Sequence, residues 1–238
     1  MCIFEGDVSM EIVENGIRYL NSGTMRVLGF ANGYQTKELE IPDMVDGEPV
    51  VEIAPNAFKD TDIESVILPS TLAIIGMSAF ESCQYLKTVS IDNLDDFSRK
   101  LHIKAKAFRN CLSLESIDAW CAMTNIDSSA FAGCCLLQFV GLSLKIVYAK
   151  AFQHCPKLQC LNFHEEAVLF NGCLENCDVK ELCMVKTATI QPQTLGYIFD
   201  KNIKMYCVKN SNLLELIYDG FNIELYDEDE EELLSAYM

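Results

Sequence analysis

Apolar and polar residues alternate in short runs along most of the chain, and a turn follows each run. In the run from Ile63 to Leu68 the first, fourth and sixth positions are apolar, and the second and third positions are polar. This alternation is expected of a β-strand with one buried face. Five more runs share it, at residues 86–91, 114–119, 137–142, 158–163 and 179–184. The pattern therefore predicts a series of short strands of one design.

A second motif precedes these runs at nearly constant intervals. It consists of Ala-Phe, two variable residues and Cys. Full copies begin at Ala79, Ala107, Ala130 and Ala151; a copy at Ala57 lacks the Cys, and a degenerate copy begins at Cys173. The starts lie 22, 28, 23, 21 and 22 residues apart. A period of about 20–29 residues with Leu-x-x-Leu-x-Leu segments is typical of leucine-rich repeats, in which each unit buries its apolar face against its neighbours.

One unit carries a closer resemblance. Residues 68–86, Leu-Pro-Ser-Thr-Leu-Ala-Ile-Ile-Gly-Met-Ser-Ala-Phe-Glu-Ser-Cys-Gln-Tyr-Leu, closely resemble the BspA-like class, whose unit is Ile-Pro-x-x-Val-x-x-Ile-Gly-x-x-Ala-Phe-x-x-Cys-x-x-Leu. The resemblance covers residues 36–209, although Ile-Gly is missing before Ala107, Ala130 and Ala151. We expect an α/β solenoid: a right-handed leucine-rich-repeat superhelix with a parallel β-sheet on the concave face. Its convex side should carry short helical turns or strands.

The repeats divide the chain into four parts. We predict an N-terminal β-hairpin cap at 1–35, about six to eight repeat units at 36–209, a C-terminal cap at 210–226 and an acidic tail at 227–238. The hairpin should pair residues 17–20 with 25–28. Towards the C-terminus we expect a strand at 203–208, a helix at 212–218 and an edge strand at 223–226. Either Met205 or Tyr206 fits the inward position of the strand. The 28-residue interval indicates an insertion at 92–106.

The repeated positions predict a packed interior. Each Ala should permit a tight helical turn, and each Phe should stack on the Phe of the units above and below. After Pro69 we expect a turn and a short extended segment, then Gly76 where the chain bends. The cysteines at one repeat position should form a buried ladder of small apolar side chains. They are Cys83, Cys111, Cys134, Cys155 and Cys177.

Catalytic chemistry has little support. The chain has no Cys-x-x-Cys pair for zinc, no Gly-rich phosphate loop and no carboxylate-rich metal motif, so no cofactor or metal is expected. His154 precedes Cys155, but adjacent residues point in different directions. Ser116, Asp118 and His164 could share a face, but across two strands they would lie about 10 Å apart, too far for a triad. A thiol hydrolase is therefore a minor alternative to a protein without enzymatic activity.

The exposed positions of the strands are better candidates for function. The only tryptophan, Trp120, falls on this face, and aromatic residues beside small polar groups are typical of binding hot spots. Alternatively, Trp120 packs against the insertion. The predicted partner-binding residues are Trp120, Phe139, Asp118, His164, Ser116 and Asn162.

The composition of the chain limits the classes of partner that it could bind. The formal net charge is −17, which argues against nucleic acid and anionic membranes as partners, and no apolar run is long enough to span a bilayer. The acidity lies at the ends, since residues 57–209 hold 15 basic and 16 acidic residues. With no signal-peptide pattern at the start, we expect a cytoplasmic, monomeric, protein-binding module. A microbial surface adhesin is the alternative, because proteins with this repeat are often implicated in attachment to host surfaces.

Overall fold

The computed structural model describes residues 10–91, 100–118, 122–140, 144–158, 160–163, 167–179, 181–184, 189–190, 204–208 and 223–226. Side chains are described for residues 10–91, 100–118, 122–138, 144–158 and 167–179. The strands are β1 (Met10–Glu14), β2 (Ile17–Asn21), β3 (Met25–Phe30), β4 (Glu38–Glu40), β5 (Met44–Val45), β6 (Glu48–Ile53), β7 (Ser65–Leu68), β8 (Ile74–Ile75), β9 (Thr88–Ile91), β10 (Leu101–Ile103), β11 (Ser116–Ile117), β12 (Met123–Ile126), β13 (Phe139–Val140), β14 (Ile146–Val147), β15 (Cys160–Phe163), β16 (Val168–Leu169), β17 (Glu181–Met184), β18 (Thr189–Ile190), β19 (Lys204–Val208) and β20 (Ile223–Tyr226).

These strands form a β-solenoid in which successive coils add strands on two sides. Sheet A has the order β1-β2-β3-β6-β8-β10-β12-β14-β16-β18, and β5 pairs with β6. The other strands form two separate sheets, β4-β7-β9-β11 and β13-β15-β17-β19-β20, which we together call sheet B. Apart from the N-terminal β1-β2-β3 and β5-β6 pairs, neighbouring strands are parallel. A side chain at one position of a coil therefore lies beside its equivalent in the next coil.

The predicted strands are confirmed in sheet B. Each begins two residues later than the sequence run, as β7 does at Ser65. Val66 is paired with Val89, and Val89 with Ile117, and all three side chains are buried. The hairpin of β2 and β3 is also as predicted, and β1 extends it by one antiparallel strand. At the other end, Met205 pairs with Leu182 and Tyr206 with Cys183, which fixes the backbone register left open by the sequence.

Sheet A is built from the second, more variable segment of each coil. In the best-preserved unit this segment ends at Gly76, where a Cβ would lie 2.5 Å from the backbone oxygen of Ile53. Gly76 is thus required by close approach of the preceding coil. Its position is occupied in later coils by Lys104, Asp127, Tyr148 and Phe170, whose N–H groups each donate to the strand before at 2.9 Å. Part of the supposed insertion at 92–106 is therefore regular, since β10 occupies residues 101–103, while 92–99 lie outside the described residues.

The predicted phenylalanine stack runs through the core. The ring centroids of Phe58, Phe80, Phe108, Phe131 and Phe152 follow one another at 5.4, 5.2, 5.2 and 5.5 Å. Interplanar angles between neighbours are 16° or less. The five rings are fully buried, so the stack joins the coils along the solenoid.

The cysteine ladder is also buried, and its thiols are hydrogen-bond donors. Cys83 donates to the backbone oxygen of Phe58 at 3.0 Å, and Cys111 donates to that of Phe80 at 3.1 Å. Each later ladder residue also donates to the backbone oxygen of the Phe in the preceding coil. The distances are 3.2, 3.2 and 2.9 Å for Cys134, Cys155 and Cys177. The position therefore requires a small side chain that can also donate, not merely an apolar one.

The expected helical turns are absent from the described residues, which contain no α-helix. The Ala-Phe-x-x-Cys segments are turns in which two residues adopt left-handed φ. One immediately precedes the Ala, as Ser78 and Lys106 do, and the other precedes the Cys, as Ser82 and Asn110 do, at φ between 56° and 62°. Left-handed residues interrupt a helix, so the chain turns here without forming one. The predicted helix at 212–218 lies outside the described residues.

Candidate functional site

Sheet B presents an exposed face made of two rows of side chains. In the first row Glu38 pairs with Ser65, Ser65 with Thr88, and Thr88 with Ser116. In the second row Glu40 pairs with Ile67, and Ile67 with Ser90. Alternate residues of the same strands are buried, including Leu39 and Val66. Ser65 and Ser90 are half-buried, and the other residues of the two rows are exposed. We call these rows, on β4, β7, β9 and β11, the sheet B face.

Two of the predicted binding residues lie together on this face. The side chain of Ser116 is exposed at the end of the first row. Asp118 follows β11, and its backbone N–H donates to the oxygen of Val89 at 2.9 Å, which sets it beside Ser90. Its side chain is also exposed. The structure thus brings a hydroxyl and a carboxylate to one accessible place.

Four predicted residues fall in less fully described parts of the chain. Phe139 begins β13 and pairs with Cys160, while Asn162 lies on β15 and pairs with Cys183. Both residues therefore lie on strands of sheet B. On β15, Asn162 lies two positions after Cys160, the residue that pairs with Phe139. Trp120 and His164 lie outside the described residues.

Ion pairs border the sheet B face just before its strands. Glu64 accepts hydrogen bonds from Lys37 at 2.6 Å and from Lys87 at 3.1 Å. These two ammonium groups, with Lys37 the stronger influence, lower the pKa of the Glu64 carboxyl below its usual range. Charges of alternating sign therefore run along the border of three strands.

A cavity of about 320 Å³ lies at the N-terminal end of the face. It is lined by the start of the hairpin, the loop that leads to β4, and β4 itself, including Asn15, Tyr34, Glu38 and Glu40. The sequence pattern did not indicate this cavity, because its residues come from the cap and the connecting loop rather than from repeated positions.

A cluster of polar side chains also lies on sheet A. His102 Nε2 lies 2.7 Å from Asp127 Oδ1, and Lys104 Nζ lies 3.2 Å from His102 Nδ1. Since an ammonium group can only donate, Nδ1 accepts from Lys104 and the Nε2–H donates to Asp127. Every polar atom of the imidazole thus has a partner within the cluster.

The ladder thiols are poorly suited to nucleophilic chemistry. Burial raises the pKa of the Cys83 and Cys111 thiols, and it raises that of Cys134 strongly. Only a thiolate is an effective nucleophile or metal ligand. In the described part of the chain, no group of three or more His, Cys, Asp or Glu residues could hold a metal ion. Nor does that part contain a helix long and apolar enough to cross a membrane.

Comparison with known families decides the assignment of the repeats. The family described as "BspA type Leucine rich repeat region" matches the sequence in six copies, over residues 51–180 and 101–224. The chain belongs to this family. The BspA-type assignment agrees with the resemblance of residues 68–86 and with the Ala-Phe-x-x-Cys turns seen in the structure. No curated protein sequence matches the chain significantly.

Solved structures of leucine-rich repeat proteins share the fold. A leucine rich cell surface protein from Faecalibacterium prausnitzii is 21% identical, with a TM-score of 0.70, over 87% of this chain and 56% of that one. The leucine rich repeat protein TpLRR from T. pallidum is 23% identical, with a TM-score of 0.51, over 70% of this chain and 89% of its own. A leucine-rich repeat protein from Eubacterium ventriosum is 17% identical, with a TM-score of 0.53, over 70% and 50% respectively. At these identities the likeness establishes the fold alone.

Proposed function

We propose that this BspA-type protein is a non-enzymatic interaction module that binds a partner protein through the sheet B face. We also propose that this is the concave face of the solenoid. The observation that carries the proposal is the pair of exposed rows, which run in strict register over a buried core. Such a surface is held rigidly by the coils beneath it, so little conformational freedom is lost when a partner binds.

The proposed contact residues are Trp120, Phe139, Asp118, His164, Ser116 and Asn162. Exposed Ser116 and Asp118 supply hydrogen-bonding groups, and the aromatic residues would supply apolar contact area at the centre of the interface. A protein partner fits better than nucleic acid, because the described part of the face carries the carboxylates of Glu38, Glu40 and Asp118.

The first experiment asks which face the partner touches. A photo-crosslinking residue is placed at exposed Thr88 on the sheet B face, or at exposed Met77 in the turn after β8, and the full chain is irradiated in extract from its native host. We expect Thr88 to crosslink one defined protein that Met77 does not. Equal products from both positions would contradict binding by this face.

The second experiment tests the aromatic residues with the partner so identified. Trp120→Ala combined with Phe139→Ala should weaken capture at least about tenfold, since hot-spot truncations cost about 2 kcal/mol or more. Tyr148→Ala, an exposed aromatic residue that follows β14 in sheet A, is the matched control and should bind normally. Unchanged capture by the folded double variant would remove Trp120 and Phe139 from the site.

A surface adhesin is the second candidate. It is favoured by the F. prausnitzii structure, which is of a leucine rich cell surface protein. In that case the same face would bind a host protein outside the cell, whereas we otherwise expect a cytoplasmic partner. Fractionation of the native host with protease shaving separates the two, because only a surface protein would be digested on intact cells.

A further inference from the structure

The cavity at the N-terminal end of the sheet B face has the features of a recognition pocket. β4 is the last strand of its run, so one side of the cavity is the strand's outer edge. Asn15 and Tyr34, which belong to the hairpin cap and the connecting loop, also line it. The pocket is therefore formed between two parts of the chain rather than within one repeat.

Two carboxylates line the pocket from the same strand. Glu38 and Glu40 are two residues apart on β4 and so project to the same side, about 7 Å apart along the backbone. Both are exposed, and neither has an ion-pair partner among the described residues. Neighbouring Lys37 does not neutralise them, because its ammonium group is bonded to Glu64 at 2.6 Å. The pocket thus has uncompensated negative charge.

An aromatic ring lines the same pocket. Tyr34 makes an edge contact with Phe30 at a centroid distance of 5.7 Å. Its ring lies over Gly16, in the space that a side chain on Gly16 would fill, and Gly16 has a φ of 77°. The absence of a Cβ at this position therefore permits the ring to line the pocket.

The edge of β4 is poorly suited to pairing with another strand. The Thr36 hydroxyl donates to the backbone oxygen of Glu38 at 2.8 Å and accepts from its N–H at 3.3 Å. Pro42, at the far end of the pocket, has no N–H to offer. Because the outward backbone groups are occupied or missing at both ends, an inserted side chain fits the pocket better than an added strand.

We propose that this pocket binds an arginine side chain of the partner protein. A guanidinium group is planar, always charged and offers five donors, so it can bond both carboxylates while it stacks on the Tyr34 ring. An ammonium group is smaller and more strongly hydrated, and it would exploit the two carboxylates less well. This inference extends the proposed protein-binding function to a defined subsite at one end of the face.

The test uses the full chain and short peptides. The peptide acetyl-Gly-Gly-Arg-Gly-Gly-amide is titrated into the isotopically labelled protein, and backbone amide shifts are followed by NMR. Parallel titrations use the same peptide with lysine, or with citrulline, which keeps the shape of arginine but has no charge. We expect saturable shifts at residues 15–17 and 34–42 for arginine, weaker binding of lysine and no binding of citrulline.

Variants show which groups are responsible. Glu38→Gln and Glu40→Gln should each weaken arginine binding about fivefold. Tyr34→Phe should retain it and Tyr34→Leu should weaken it, with thermal melts to confirm folding. Glu115→Gln, an exposed carboxylate just before β11, is the matched control and should leave binding unchanged.

Several outcomes would overturn the proposal. These are equal binding of citrulline or lysine, unchanged binding by the folded Glu38→Gln and Glu40→Gln variants, and shifts confined to the acidic run at 227–232. Because only peptides are used, such a failure would leave the crosslinking result at Thr88 intact. A failure of that crosslink would likewise leave the pocket assignment standing.

Discussion

At the residue scale, the thiol of each ladder cysteine links neighbouring coils. Cys111 is fully buried, and its thiol donates to the backbone oxygen of Phe80 in the preceding coil. In the earliest unit Thr61 stands in place of the cysteine, and its hydroxyl donates to the oxygen of Phe58 in its own coil, at 2.7 Å. The position thus accepts a different small side chain that can donate, but the Thr61 bond does not link two coils.

Replacement of Cys111 should separate the packing contribution from the hydrogen bond. Cys111→Ala removes the donor and leaves a small void, so we expect a loss of about 1–2 kcal/mol in the free energy of unfolding. Cys111→Ser keeps a donor and should lose less. The measurement is urea denaturation under reducing conditions.

Cys135 provides the control for this prediction. It lies next to the ladder but is only partly buried, and its thiol lies 3.4 Å from the oxygen of nearby Gly133. Cys135→Ala should change stability by less than about 0.5 kcal/mol. If the Ala variants at 111 and 135 were equally stable, the ladder bond would have no energetic role.

At the element scale, a row of charges joins neighbouring turns. Glu81 is paired with Lys59 at 3.1 Å and lies 3.9 Å from Arg109, so one carboxylate stands between cations of the two adjacent coils. Burial raises the pKa of the Glu81 carboxyl, but hydrogen bonds from Lys59 and Ser78, with the charges of Lys59 and Arg109, outweigh it. The net pKa lies below the usual value of 4.5.

This arrangement predicts acid sensitivity. A carboxyl with a lowered folded-state pKa stabilises the fold above its unfolded pKa, and this contribution is lost as the pH falls through the folded value. Stability should therefore decline as the pH falls below about 4.5. Glu81→Gln should lose about 0.5–1 kcal/mol at pH 7 and show a shallower decline in acid, measured by thermal melts from pH 7 to pH 3.

A matched variant identifies the source of that decline. Glu115→Gln alters an exposed carboxylate with no ion pair among the described residues, so its melts should follow the unmodified chain. An acid decline of the same steepness in Glu81→Gln and the unmodified chain would show that other carboxyls control the transition.

Elements that recur in every repeat could be predicted from the sequence. Elements whose conformation depends on contact with a neighbouring coil could be predicted only in part. The strands of sheet B and the Phe stack follow from a period that appears in every unit. The 28-residue interval predicts an insertion at 92–106, which includes the residues of β10; the conformation of β10 comes from pairing with Ile74 and Ile75 in the preceding coil. The arginine pocket gave no signal, since Asn15, Tyr34 and Glu38 belong to three non-repeated segments.

At the scale of the whole molecule, charge is unevenly distributed along the chain. Residues 1–56 carry 3 basic and 10 acidic residues, and residues 210–238 carry 9 acidic and no basic ones. The intervening 57–209 are nearly neutral. A solenoid must protect the apolar surface at its ends, and like charges there would keep the ends of separate molecules apart.

Removal of residues 227–238 should therefore promote self-association. The deletion removes six acidic residues and changes the formal charge from −17 to −11. The effect should be largest at low ionic strength, roughly 0.01 M, where repulsion extends over about 30 Å. Sedimentation velocity of the two chains at equal concentration measures it, and a strictly monomeric truncated chain would refute the role of the tail.

The cysteine ladder has one more consequence, for the redox conditions in which the fold can exist. The seven cysteines whose side chains are described are all free, and the coils are joined through thiol–carbonyl bonds instead of disulfides. Contact between coils at these seven positions thus requires no oxidant, and reductants such as glutathione have no cross-link to break there. Oxidation would be the damaging event, because each oxygen added to sulfur must fit a row with no spare volume. The same burial that removes the thiols from chemistry protects the solenoid from this damage.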